Sequence, residues 1–448
     1  MVGQRLVAAY MHDSGARETD QHTLFGKTKL LPKLQGSIAW ISGVTSPRPP
    51  LEECYTTNSF LDSDRLALCK YNFPTERTNI STTVSNQAHI YDSLTDRHRV
   101  EILSIMSSLA KPSEVLLIGS SPLASASEFF TTTSRALPKR LHQVPDGETG
   151  FRANYIGWQH PVFPITIVQP RWGGKPSAES AARKYTLEDL NPTGYDEQAI
   201  VSYATFRELK VDGTISPDAR FQVSLPTPLS VVRGFVEDDG VCEQVAPLYE
   251  KRLLQALQHL QEEIPPAELT IQWDLPSEIA ALEFERGNIE DRYWKAYFSP
   301  VKAGVLDRLG RLAAAVDPKA EMGYHLCYGD FAHQHFVQPP DLALPVELAN
   351  DIIEKVSPIH PIAYFHMPVP KDRFDEAYFS PLKNLKLQES KLFLGVVHPH
   401  DEAGTKKRLE TAQAIYPDIA GVSTECGMGR TPPEELGSIL EICASVTG

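Results

Sequence analysis

The chain has 448 residues, 42% of them hydrophobic and 22% charged, with 43 Lys+Arg against 57 Asp+Glu and a formal charge of −14. That length supports two or three domains, or one large barrel with an extension. The acidic balance, with no basic patch to offset it, argues against a nucleic-acid backbone or an anionic membrane as partner. The longest apolar runs, such as EVLLIG and KLFLGVV, fall far short of the roughly 18 residues that a membrane span needs. The first twenty residues lack a secretory h-region and carry acids, which sets a cytoplasmic expectation. Six scattered cysteines (54, 69, 242, 327, 426 and 443) read as free thiols or metal ligands rather than as a disulfide framework.

Residues 1–112 are short apolar pieces broken by Pro, Ser, Thr and Asn, and are expected to form an irregular extension of low order. Its one clear element is a helix near 95–110, in TDRHRVEILSIMSSLA, with Thr95 as N-cap and Pro112 beyond its end. The NIS at Asn79 matches a glycosylation acceptor and is discounted in a cytoplasmic chain. From residue 113 to 448 the pattern changes to β-rich runs alternating with longer amphipathic stretches. The runs are EVLLIGS (114–120), RLHQVPD (140–146), RFQVSLP (220–226), ELTIQWD (268–274), EMGYHLC (321–327), PIAYFHM (361–367), KLFLGVV (391–397) and IAGVSTEC (419–426). Helical stretches between them include APLYEKRLLQALQHLQEEI, DRLGRLAAAVD, PVELANDIIEKV and EAGTKKRLETAQAIY. Eight strand–helix units predict an α/β fold, a (β/α)8 TIM barrel whose strands are parallel because each crossover is helical. Residues 147–219 are too long for a simple connection and are expected to make an excursion over the barrel mouth.

In such a barrel the site lies at the C-terminal ends of the strands, and reactive residues gather there. The runs end in or near Ser120, Asp146 and Glu148, Asp274, His325 and Cys327, His366, His398 and His400, and Glu425 and Cys426. On a strand, residues i and i+2 share a side, so His325 and Cys327 lie about 6–7 Å apart facing the mouth. A thiolate with an imidazole suits Zn²⁺ better than a hard cation, and Cys426 offers a third ligand from another strand. Alone, the H-x-C pair is equally an ordinary strand end with a buried thiol.

The motifs IGSSP, PDGETG, TIQWDLP, HLCYGDF, LGVVHPHD and STECGMGR, in this order, resemble the catalytic barrel of cobalamin-independent methionine synthase over roughly residues 113–448. That family transfers a folate methyl group to homocysteine, in methionine biosynthesis, with zinc. The resemblance implies that His325, Cys327 and Cys426 bind Zn²⁺, that Ser120, Glu148 and Asp274 hold the amino-acid part of a thiol substrate, and that His400 serves proton transfer. Where the family places a glutamate ligand at the end of strand six, this chain has His366, the expected fourth ligand, with Glu425 as the alternative. Leu275 stands where the family has an acid, the Lys-Thr after the Cys-Gly motif is missing, and residues 1–112 are too short to be the family's second barrel. A single-barrel methyl- or alkyltransferase acting on a small-molecule thiol, with a methyl or alkyl donor as co-substrate and no nucleic-acid or membrane partner, is the implied function.

Each of these residues also has a structural reading. Of His398 and His400, only one is expected to face the pocket. Glu148 fits the first turn of a following helix, Asp146 a turn and Ser120 an N-cap. His366 fits a turn hydrogen bond; His333 and His335 fit an exposed loop; Arg152, Tyr328 and Asp330 are expected pocket neighbours, and Cys54, Cys69, Cys242 and Cys443 structural thiols. Two other functions fit the same barrel: a uroporphyrinogen-decarboxylase-like enzyme without zinc, and a non-catalytic protein that binds a thiol metabolite. Oligomeric state is not legible.

Overall fold

The structure, a computed structural model, describes residues 111–329 and 334–448. The chain divides into two units, Met1–Thr95 and Asp96–Gly448, and every described residue belongs to the second. The helix expected near 95–110 and the rest of the extension up to residue 110 lie outside the described residues, as do Asn79, Asp330, His333, Cys54 and Cys69.

All eight expected strands form: β1 (Glu114–Val115), β2 (Gln143–Pro145), β3 (Arg220–Pro226), β4 (Leu269–Asp274), β5 (Glu321–His325), β6 (Tyr364–Pro368), β7 (Lys391–Val397) and β8 (Ile419–Thr424). They make one parallel sheet in the order β1-β8-β7-β6-β5-β4-β3-β2, curled as in a TIM barrel. Each connection carries helix, which is what forces the parallel arrangement. Strands such as β4 are buried at every residue because both faces of the sheet are covered. The amphipathic stretches fold as helices Asp239–Glu263, Val301–Ala314, Ala343–Val356 and Glu402–Ile415. Asp238 and Asp401 cap two of them by accepting from Val241 N–H and Gly404 N–H.

No ladder joins β1 to β2, and β1 is far shorter than the run that predicts it. A backbone bond from Val115 N–H to Arg140 O (2.9 Å) and a set of interior side chains span the gap. Gln222 Nε2 donates to the carbonyls of Leu117 (3.1 Å) and Ile118 (3.0 Å), and Ser224 Oγ (2.9 Å) and Gln272 Nε2 (2.7 Å) also donate to Ile118. Buried carbonyls that lose ladder partners must find others, and two glutamines on β3 and β4 supply them. Around this polar layer Leu116, Ile118, Tyr364 and Phe393 form an interior apolar cluster distinct from the larger core between sheet and helices. Below it Glu321 meets His142 (2.9 Å) and Arg220 (3.0 Å), closing the floor. The layer above holds the site.

The excursion of residues 147–219 consists of 3-10 turns, a short helix Ala178–Ala182 and a long one, Tyr195–Val211. It is anchored by Tyr249 Oη donating to Gln159 (3.0 Å), Gln159 donating to Thr193 O (2.9 Å), and Phe163 stacked on Tyr249 at 5.6 Å. No helix among the described residues is long and apolar enough to cross a membrane.

Candidate metal centre

Parallel register sets Asp274 of β4 beside His325 of β5, and His325 beside His366 of β6. Three acid–base side chains therefore share one row at the mouth. Two residues past His325, Cys327 continues on the same side, and Cys426 follows the end of β8. Ligand atoms of His325, Cys327 and Cys426 all lie within 4.8 Å of one another. The two sulfurs are 3.7 Å apart. Two sulfurs bound at about 2.3 Å to one tetrahedral ion stand roughly 3.8 Å apart, so the pair already has that spacing. His325 Nε2 is buried and has no hydrogen-bond partner among the described residues, an arrangement that costs free energy unless something accepts its lone pair. One imidazole and two thiols, one of them orphan-facing, fit a soft divalent ion such as Zn²⁺.

Cys327 donates to Cys426, and this hydrogen bond drives the Cys426 thiol well below the ordinary range while driving Cys327, with help from burial, well above it. Gly329 N–H donates to the Cys327 sulfur (3.2 Å), a backbone contact that also suits a metal-bound thiolate.

His366, the expected fourth ligand, is not brought into this cluster. Its Nδ1 is 2.7 Å from His325 Nδ1 and its Nε2 is 3.1 Å from the carbonyl of Thr424 on β8, so both ring nitrogens are engaged elsewhere. Burial, then the neighbouring His325, holds its pKa well below the usual imidazole range, and it is neutral. Glu425, the alternative ligand, faces His335 (3.1 Å) and His398 (3.7 Å). Of the two histidines after β7, His398 is the buried one, donating from Nε2 to Val369 O (3.0 Å), its pKa lowered to about 4 by burial. His400 is exposed, with φ of +57° and its backbone N–H on Ser438; it is turned away from the cluster, because the left-handed turn rotates it out of the strand's alternation.

On the Asp274 side of the row opens a small pocket of about 20 Å³, room for a water-sized group. Glu148 and Asp274 line it, and the charge of Cys426 is felt at both. Burial, then Asp274, pushes the Glu148 carboxyl well up; burial pushes Asp274 well up against the hydrogen bond from Gln272 (2.9 Å). Asp146 both forms a turn, accepting from Glu148 N–H (2.9 Å), and binds Arg152 (2.6 Å) and Ser202 Oγ (2.6 Å). That brace presents Glu148 to the pocket at φ +39°, a conformation a non-glycine residue keeps only when its surroundings impose it.

Ser120 is not among the residues lining the pocket and is not a helix cap. The following helix, Ala126–Ala136, is capped by Ser125; Ser120 accepts from Gly429 N–H (3.1 Å) through Oγ and from Met428 N–H (2.7 Å) through its carbonyl, which ties down the loop carrying Cys426. Tyr328 points into the helix layer, donating to Glu283 (3.2 Å). His335, expected in an exposed loop, has a side chain only 7% exposed and meets Glu425 just after β8. Tyr155, Trp158 and Tyr195, which line the pocket from the excursion, carry no motif, and only their place in a long inter-strand segment marks them. Cys242 and Cys443 are buried free thiols.

No protein-family model matches the sequence, and no curated protein sequence does. Among solved structures, a protein from Listeria monocytogenes provisionally assigned as a vitamin-B12-independent methionine synthase is 13% identical with a TM-score of 0.45, the match covering 75% of this chain and 97% of that one. A B12-independent methionine synthase from Shewanella sp. W3-18-1, solved in complex with selenomethionine, is 15% identical with a TM-score of 0.36, the match covering 56% of this chain and 64% of that one.

Proposed function

We propose that the chain is a zinc-dependent transferase that moves a methyl or alkyl group onto the sulfur of a small amino-acid-like thiol. The observation that supports it most is His325, with a buried Nε2 that has no hydrogen-bond partner among the described residues, grouped with two sulfurs spaced for one ion, beside a pocket lined by Glu148 and Asp274. The resemblance of the strand-end motifs points the same way.

His325, Cys327 and Cys426 would hold the ion, and two thiolates with one neutral imidazole bring a divalent cation to a formal charge of zero. Bound there, zinc supplies a lower pKa for a thiol that joins it in an open position. Glu148 and Asp274 receive the substrate's ammonium group: their carboxyls are costly to ionise in the empty pocket, and a cation between them removes that cost. Arg152, neutralised by Asp146, keeps the loop in place and adds no net charge. In the transfer the thiol gives up its proton, its sulfur forms the new bond to the alkyl carbon, and the electron pair of the broken bond leaves with the donor. Trp158, Tyr155 and Tyr195 wall the pocket and exclude water from that sulfur. His400 is too exposed to take the proton; His398 and Glu425 stand nearer the cluster.

Elemental analysis of purified protein with Cys327→Ser and Cys426→Ser variants tests this reading, followed by zinc-edge absorption with and without an aminothiol. One zinc per chain in the parent, lost in both variants, with a new Zn–S scatterer on adding the thiol, is expected. Equal zinc in all three proteins would remove the ligand set.

A further inference from the structure

We propose that His366 is a positioning residue: it holds His325 in the one tautomer whose Nε2 lone pair faces the two cysteine sulfurs, and it reads that choice from the Thr424 carbonyl on β8. The inference rests on the metal-site reading and adds the device that prepares the site before any ion arrives.

The argument is a count of protons. A carbonyl oxygen only accepts, so at 3.1 Å from Thr424 O the His366 Nε2 must carry a hydrogen. The His366 ring is fully buried and meets only an imidazole and a carbonyl, with no carboxylate to hold a second proton, so its Nδ1 is a bare acceptor. His325 Nδ1, 2.7 Å away, must donate to it. With its one hydrogen on Nδ1, His325 presents an unprotonated Nε2, the buried atom without a hydrogen-bond partner on the ring that groups with Cys327 and Cys426. The opposite assignment would set two lone pairs face to face between His366 and Thr424. A ligating imidazole is commonly oriented by what its other nitrogen donates to; here the acceptor is a second imidazole that is itself oriented by main chain.

The path from β6 to β8 crosses β7, and β7 has glycine at the crossing. A Cβ on Gly395 would stand 2.8 Å from Thr424 O, 2.9 Å from the Glu425 Cα and 3.0 Å from His366 Nε2. Two of these neighbours are backbone, which does not yield cheaply. Gly395 therefore leaves the opening through which the His366 ring reaches its carbonyl, and replacing it would break the relay without altering any ligand.

The test uses the full chain and has two readouts besides activity. Metal affinity is measured by competition of Zn²⁺ with a chromophoric chelator for the parent, His366→Phe, His366→Gln and Gly395→Ala. We expect 10- to 100-fold weaker binding for His366→Phe and Gly395→Ala, the usual range for lost outer partners, and partial recovery in His366→Gln, whose amide can accept and donate. In metal-free parent protein, ¹⁵N spectra of labelled histidine, assigned with a His325→Asn variant, should show His325 protonated at Nδ1 and bare at Nε2. Unchanged affinity in both His366→Phe and Gly395→Ala, or a proton on His325 Nε2, overturns the inference. A parent that binds no metal overturns the proposed function instead, and the nitrogen spectra of the metal-free chain still decide the relay.

Discussion

Glu278 gives a prediction whose magnitude follows from its surroundings. It sits in the first turn of the helix Pro276–Glu285 behind Asp274, 3% exposed. Burial moves its carboxyl from an ordinary 4.5 to about 7, against the hydrogen bond from Thr227 Oγ1. Its second oxygen is buried with no partner among the described residues. Below pH 4.5 the side chain is protonated in both folded and unfolded chains, and its contribution to stability is fully present. Between about 4.5 and 7 the unfolded chain has released the proton while the folded chain keeps it, so stability falls as pH rises; above 7 the loss is complete. The gap of about 2.5 pH units, at about 1.4 kcal/mol for each, makes the loss about 3 kcal/mol. Glu278→Gln cannot ionise and keeps the acceptor for Thr227. The variant is expected to gain on the parent across this window, most of the 3 kcal/mol appearing between pH 5 and 8. Urea unfolding of both proteins at fixed ionic strength measures it, and taking the difference cancels other groups that titrate in both. A stability difference that stays flat with pH would refute the reasoning.

Other outcomes follow from the same geometry. Gln272→Leu should cost roughly 2–4 kcal/mol, because Tyr364 Oη (3.0 Å) loses its acceptor and Asp274 its donor, while Ile118 O keeps Gln222 and Ser224; chemical denaturation at pH 7 checks it. Gly323→Ala should destabilise by about 1–3 kcal/mol, since its Cβ would collide with the Tyr364 ring inside the barrel; a lowered midpoint with the parent's denaturant slope is the expected record. In metal-free protein at neutral pH, iodoacetamide should label Cys426 ahead of Cys242 and Cys443, whose thiols burial pushes up to about 12. Peptide mass spectrometry reads this, and added Zn²⁺ should protect Cys426 alone of the three.

The strands and the chemistry at their ends could be read in advance for one reason. Parallel barrel strands are short, apolar and separated by helical stretches, so runs such as 220–226 and 391–397 match β3 and β7 residue for residue. Alternation along a strand was enough to set His325 and Cys327 on one side. Other features depend on what arrives from elsewhere in the chain. β1 is two residues long because the glutamines of β3 and β4 take carbonyls that a ladder would otherwise use. His335 meets Glu425, a partner far along the chain.

The histidines mark the boundary most clearly. Local pattern brought imidazoles and thiols to the strand ends, since hydrophobic periodicity is a property of neighbours in sequence. Which histidine binds, which orients and which turns out to solvent was decided by contacts between strands far apart in the chain: a carbonyl on β8 for His366, and a left-handed turn held by Ser438 for His400. Hydrogen bonds are directional and short-ranged, so a proton's address on an imidazole exists only once the partners have been folded into place.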